Sequence, residues 1–342
     1  MVAVPYLWLL VFFLLPFAII LKISLADPII ARPPFTPLID ETGQLSVTFD
    51  NFLFLLTDKL YAYTYLKSVL MALGATVLCL LLGFPMAYGI ARSGPAVRSL
   101  LLLLIVLPFW ISFLLRVYAW MGLLNNYGVI NNTLMFLGIV DQPIQIMYTD
   151  FAIFIGLTYS YLPFMILPLY ASLERMDLDL VEAAQDLGAS RTQAFWDVTW
   201  PLARPGVIAG CLLVFIPAIG EYVIPYLLGG PESLLIGRVL FDEFFVNRDW
   251  PLASSVAIVL LLLLVVPQML ANFYLAPVLA QTQSLVSLPM RAVNSASSSY
   301  NSSSLRRPNL KPLNGRYWHS TTSGVPMNAR NSSQGMRYMS LR

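Results

Sequence analysis

Charge is what this sequence has least of. Of 342 residues, 11% are Asp, Glu, Lys or Arg and 58% are hydrophobic, with a mean hydropathy of +0.72. Soluble globular domains carry about 25% charged residues, so the composition excludes one and leaves an integral membrane protein. A single histidine, His319, excludes a histidine-based metal site. The two cysteines, Cys79 and Cys211, each sit in an apolar run and read as small buried hydrophobes, not as a disulfide or redox pair. None of the four lysines follows a glycine, which excludes a G-x-x-x-x-G-K phosphate loop. If ATP drives this protein, another subunit hydrolyses it. No nucleophile–base set or metal cluster is visible, so no catalytic residue, metal ligand or bound cofactor is assigned, and no nucleic acid is expected as a partner. Acids are also missing from the C-terminal part. All eighteen lie at or before Asp249, while eight of the twenty basic residues lie at or beyond Arg291.

What remains is long apolar runs. A spanning helix needs about 20 mostly apolar residues, and six segments qualify: 4–25, 68–90, 99–123, 151–173, 206–228 and 252–275. The first lacks the basic start and small-residue cleavage site of a signal peptide and reads as a true span. It begins almost at Met1, so a short cytoplasmic leader is expected to be missing. Lys and Arg set the orientation. Loop 91–98 holds Arg92 and Arg98, loop 174–205 holds Arg175, Arg191 and Arg204, and loop 124–150 holds none. Both termini and the 174–205 loop are therefore expected on the cytoplasmic side. Residues 1–275 form the expected membrane domain. The 276–342 tail, rich in Ser and Asn and free of acids, reads as disordered.

One polar stretch interrupts the apolar chain, "VEAAQDLGASRTQAFWDVTWP" at 181–201. Asp179 with Glu182 three residues on predicts a capping box and a helix over 180–187. Gly188 suits the left-handed position that ends it. Ser190 with Gln193 predicts a second capping box, starting a helix that Pro201 limits. Two short helices joined at Gly188 make a cytoplasmic knob, with Leu180, Ala184 and Leu187 on one face and Phe195, Val198, Trp196 and Trp200 along the second helix. Such a knob is either a docking element or a cap over the bundle's own helix ends.

Glu182-Ala183-Ala184, Gly188, Val198, Trp200 and Pro201 resemble the cytoplasmic EAA loop of permease subunits in binding-protein-dependent ABC importers, with Val198 and Trp200 in place of the commoner Ile and Leu. The resemblance implies an all-α membrane protein with six spans, the type I importer (MetI-like) architecture with cytoplasmic coupling helices, in the bacterial inner membrane. It implies that Glu182, Ala183, Ala184, Asp186, Leu187, Gly188, Val198 and Pro201 contact a cytoplasmic ATPase that holds the ATP and Mg. The implied partners are two ATPase copies, a second homologous permease subunit, a periplasmic binding protein and membrane lipid. The stretches 113–132, 214–240 and 244–258 resemble the spermidine/putrescine branch, in particular the first permease of the putrescine importer. The likeness covers about residues 4–270 and fails at both ends. It implies inward movement of putrescine or a related polyamine. The alternatives are another small cargo, such as a ferric or phosphonate species, or an ion-coupled carrier.

Two ionisable residues fall inside expected spans, where each is a functional candidate. Counted from the cytoplasmic side at 1.5 Å per residue, Arg116 and Glu221 both reach roughly 21–26 Å. They could pair. Alternatively Glu221, with Tyr222 beside it and Trp110, Tyr118 or Trp120 facing it, could receive an ammonium by ion pairing and cation–π contact. Those aromatics could equally form an outer interfacial belt. The outer loops hold eleven acids against five basic residues. That excess would concentrate polyamines, or it follows simply from the sorting of Lys and Arg to the inside.

Overall fold

A helix in lipid inverts the pattern of a soluble one, and the second expected span shows this directly. Within α3 (Lys59–Arg92), Ala72, Ala75, Cys79, Gly83 and Ala87 line the buried side, while Leu66, Leu70, Leu73, Val77 and Leu81 face outward. Small residues face the neighbouring helices because, between helices in hydrocarbon, close backbone approach supplies the attraction that the hydrophobic effect cannot. Large apolar side chains are left to meet lipid tails.

The computed structural model describes residues 3–37, 46–266 and 269. Among them, regular structure is helical apart from one isolated bridge between Pro28 and Phe35. In chain order the helices are α1 (Ala3–Ser24), α2 (Asp50–Thr57), α3, α4 (Pro95–Val106), α5 (Phe113–Leu124), α6 (Val129–Phe136), α7 (Asp150–Glu174) and α8 (Asp179–Asp186). After them come α9 (Arg191–Ala194), α10 (Trp200–Ile219), α11 (Val223–Leu228), α12 (Ile236–Phe241) and α13 (Trp250–Val266). Four continuous stretches are long and apolar enough to cross a membrane: Val4–Ser24, Lys59–Arg92, Asp150–Glu174 and Arg191–Ile219. The rest of the sixth expected span, to 275, and the 276–342 tail lie outside the described residues.

Helices α3, α7 and α10 pack against one another as the centre of the bundle. The α7–α10 seam depends on two glycines one turn apart. A Cβ at Gly206 would lie 2.7 Å from the Pro168 carbonyl oxygen, and one at Gly210 would lie 2.7 Å from Met165 Sδ. Only glycine lets these backbones meet. By contrast α1 is apolar all round, and its spanning window is not buried by any of the described residues. It is tied at its end, where the Asn51 amide donates to the carbonyls of Ser24 and Ala26 and Ser255 Oγ donates to that of Ser24.

Two expected spans are not straight. The third, 99–123, breaks after a 3₁₀ turn at Leu107–Trp110. Ile111 is extended and Ser112 non-helical, and Pro95–Trp110 meets Phe113–Phe136 at 93°. Pro108 cannot donate within the turn, and the non-helical Ile111 and Ser112 end the helical ladder. The fifth, 206–228, starts earlier and stops sooner than hydropathy suggests. Helix runs from Arg191 to Ile219, breaks at Gly220–Tyr222, and resumes as α11.

Candidate coupling loop and mid-membrane site

The 174–205 loop folds from local rules. Helix α8 ends in a Schellman motif. The Ala189 N–H donates to the Ala184 carbonyl (3.0 Å), the Gly188 N–H donates to that of Gln185 (2.9 Å), and Gly188 has φ +94°. Nothing lies within 4 Å of a Cβ built on Gly188, so glycine is required there by backbone conformation and not by crowding. The Ser190 capping box forms in both directions. The Gln193 N–H donates to Ser190 Oγ at 3.3 Å, and the Ser190 N–H donates to Gln193 Oε1 at 2.8 Å.

Two expectations for this loop are corrected. Asp179 does not cap α8, because the helix already includes it. The N-cap position is Leu178, and the Asp177 side chain instead accepts the Asp179 N–H at 3.1 Å. Nor does Pro201 end the second helix. Residues Phe195–Thr199 form a π-helical turn, in which the Trp200 N–H donates to the Phe195 carbonyl, and α10 continues through Pro201 at its first turn. The wider π turn directly before it accommodates a residue that cannot donate within the continuing helix. The second half of the knob is thus the base of a 29-residue helix, Arg191–Ile219.

Exposure divides the knob into a root and a tip. Phe195 and Trp200 both pack on Phe84 of α3, at 5.7 Å between ring centroids. Glu182, Ala183, Asp186 and Gly188 are exposed, Leu187 is 91% exposed, and Ala184, Val198 and Pro201 are half-buried. Leu180 is half exposed and Leu187 is almost wholly so, and these are the apolar pair on α8. A cap folded back over the bundle's own helix ends would bury that pair.

Glu221 sits at the break between α10 and α11, half-buried, with both carboxylate oxygens engaged. Tyr161 Oη of α7 donates to Oε2 at 2.5 Å, and the Val223 N–H donates to Oε1 at 3.0 Å. Arg116 is buried on α5, with its guanidinium 5.5 Å from the Phe109 ring centroid and 5.6 Å from that of Phe113. Among the described residues there is no Arg116–Glu221 ion pair, and Arg116 Nε and Nη1 have no hydrogen-bond partner. Rings join the two sites. Phe109 packs on Phe164 (5.1 Å), and Phe164 packs on Tyr161 (6.1 Å). The depth-matched pair is therefore corrected: each charge has its own local environment, with aromatic rings between.

The other candidates disperse. Tyr222 stacks on Phe241 at 4.3 Å, Trp120 packs edge-on against Tyr159 at 5.3 Å, and Trp110 and Tyr118 are exposed. The aromatic that reaches Glu221 is Tyr161, which sequence reasoning missed. A tyrosine midway along an apolar run was the available signal, since its hydroxyl needs a partner once buried.

Comparison with known proteins adds the family. The model of the family described as "Binding-protein-dependent transport system inner membrane component" matches residues 79–277. The chain is 47% identical over 213 residues to the spermidine/putrescine transport system permease protein PotB of Escherichia coli (strain K12), covering 62% of this chain and 77% of that one. It is 41% identical over 263 residues to PotB of Haemophilus influenzae, covering 77% of this chain and 88% of that one. A crystal structure of a bacterial alginate ABC transporter, in complex with an alginate pentasaccharide-bound periplasmic protein, shares the fold. Its TM-score is 0.59 at 18% identity, over 81% of this chain and 93% of that one.

Proposed function

The chain belongs to the binding-protein-dependent transport system inner membrane components, and from that premise we propose that it forms half of the path by which an ATP-driven importer carries putrescine or a related polyamine inward. As a member of that family it is a transport component of the inner membrane, not an enzyme. The cargo follows from its likeness to two spermidine/putrescine permeases. The full machine would add a second homologous permease, two ATPase copies holding ATP and Mg, and a periplasmic binding protein like the one in the alginate complex. Both termini and the 174–205 knob would face the cytoplasm.

One observation carries the mechanism. The exposed tip of the knob joins, through Gly188, a helix that runs unbroken from Arg191 to Ile219 and ends at the break that holds Glu221. Closure of the ATPases on Glu182, Ala183, Ala184, Asp186 and Leu187 would move α8. Val198 and Pro201 would pass the displacement into α10 as a rigid body, since a helix is far stiffer along its axis than a loop. The Gly220–Tyr222 break would then be displaced against α7, where Tyr161 holds Glu221. The substrate path is proposed to pass this break and its neighbours Arg116, Tyr222, Trp110, Tyr118 and Trp120.

Reconstitution tests the reading. In vesicles, radiolabelled putrescine is expected to enter only when the second permease, the ATPase, the binding protein and ATP are all present. Uptake by this chain alone, driven by an ion gradient, would show a secondary carrier instead.

A further inference from the structure

The N-terminal ends of α3 and α7 and the 230–233 loop line an open polar cavity of about 680 Å³, whose walls include Tyr63, Lys67, Tyr148, Asp150, Glu232 and Ser233. Its lining includes an ion pair, Lys67 Nζ to Asp150 Oδ2 at 3.1 Å. Ser233 Oγ donates to the other carboxylate oxygen at 2.7 Å, and Lys67 Nζ also donates to the Glu232 backbone carbonyl at 3.3 Å. The Lys67 side chain is 14% exposed and that of Asp150 is 45% exposed. One face of the carboxylate is therefore committed and the other is open to the cavity. Tyr63 and Tyr148 stand in the walls, 60% and 57% exposed. Tyr148 has φ +65°, a conformation that non-glycine residues rarely adopt. Its N–H is fixed to the Leu228 carbonyl at 2.9 Å, which holds the strained residue in place.

Resting on the proposed polyamine cargo and orientation, we propose that this cavity is a receiving site for one ammonium end of a polyamine, and that Lys67 occupies it in the ligand's absence. The chemistry supports that class of ligand. A primary alkylammonium seeks a carboxylate, carbonyl oxygens and ring faces, and the cavity supplies all three in Asp150, Glu232 and the two tyrosines. Two carboxylates against one ammonium leave a net negative lining, so a further cation is favoured. The Lys67 side chain is itself a primary ammonium on a four-carbon stem, the group that ends a diaminobutane. A divalent metal does not fit, because the described residues hold no group of three or more His, Cys, Asp or Glu side chains suited to one. At about 680 Å³ the cavity lies within the usual range for small-ligand sites. An incoming ammonium would take the open face of Asp150 and release Lys67 towards the Glu232 carbonyl.

A structural clamp and a receiving site make opposite predictions for the same bond. If the pair is only a clamp, Lys67→Met and Asp150→Asn break one bridge and act in the same direction. If it is a receiving site, Lys67→Met removes an internal competitor and Asp150→Asn removes the acceptor. The test is equilibrium binding of radiolabelled putrescine to the assembled transporter in lipid nanodiscs without binding protein, beside uptake by the same preparation with binding protein and ATP. Lys67→Met is expected to tighten binding and Asp150→Asn to weaken it, each by about three- to fivefold, the scale of a partly exposed ion pair. Glu232→Gln, which leaves the bridge intact, is expected to weaken binding by about twofold and guards against a variant that fails to assemble. The charge swap Lys67→Asp with Asp150→Lys should not restore wild-type binding. Shifts of one sign in both single variants, wild-type binding in the swap, or no putrescine binding by a wild-type complex that transports it would overturn the site. Absence of putrescine uptake by the wild-type complex would instead overturn the cargo assignment.

Discussion

Neutralising Glu221 is the most direct probe of the candidate site at the α10–α11 break. Had it been paired with Arg116, Glu221→Gln would strand a buried cation at about 3–5 kcal/mol, and Arg116→Gln in the same chain would restore the loss. The geometry gives a smaller and non-compensating effect. The substituted glutamine can still accept the Val223 N–H and can donate its amide to Tyr161 Oη, so the charge assistance of two hydrogen bonds is lost and the Tyr161 O–H, which donates to Glu221 in the wild type, must find another acceptor. That difference is about 1–2 kcal/mol in total, from the gap between charged and neutral hydrogen bonds. Arg116→Gln removes two unpartnered buried donors while giving up cation–π contact with Phe109 and Phe113. These terms oppose, and the net change is expected within about 1 kcal/mol of zero. With rings between the two sites, the double variant should equal the sum of the singles to about 0.5 kcal/mol. Thermal stability of the detergent-purified complex and its membrane level on a blot give the energies, and putrescine uptake gives the function. Recovery of level and uptake in the double variant, after loss in Glu221→Gln alone, would refute this geometry and reinstate the pair.

Tyr161→Phe should resemble Glu221→Gln in stability, since it removes the partner of the same bond, and uptake by the two should fall together. Gly188 should respond to backbone preference alone. Asn, which tolerates the left-handed region, should retain most uptake, while Val should lose it at an unchanged membrane level, with a strain of about 1–2 kcal/mol. Gly210→Leu should do the reverse and lower the membrane level, because its side chain would enter the space of Met165. Glu182→Lys reverses the charge of an exposed side chain that has no ion-pair partner among the described residues. It should leave the membrane level intact and uncouple ATP hydrolysis from uptake, which a combined phosphate-release and uptake assay reads.

What was legible in the sequence is what is local or what the bilayer enforces. Hydropathy placed α1, α3, α7 and the base of α13, because each needs only its own apolar run. The Ser190–Gln193 capping box and the Gly188 turn were legible for the same reason: every hydrogen bond in them joins residues at most five positions apart. The first capping box was not, because Asp177 and Asp179 both offer a carboxylate near the start of α8 and spacing does not say where the helix begins. Tyr161 was missed because its role exists only once α7 and α10 are packed.

The failed Arg116–Glu221 pair has a more instructive cause. The depth count assumed that each helix rises straight from the cytoplasmic side at 1.5 Å per residue. Both counts cross a break, at Ile111–Ser112 for Arg116 and at Gly220 for Glu221, and a 93° bend turns axial rise into lateral displacement. Hydropathy cannot register such breaks, because bent and straight helices are equally apolar. Proline content does not locate them either. Pro16, Pro85, Pro163 and Pro168 lie inside continuous helices, while the breaks follow Pro108 and Pro217 by a few residues. At the second break the Glu221 carboxylate accepts the first N–H of α11, so an ionisable residue in an apolar run caps the helix that resumes there. A carboxylate in an apolar run that can accept a freed N–H, as Glu221 does, thus marks a point where the depths on either side should be counted separately.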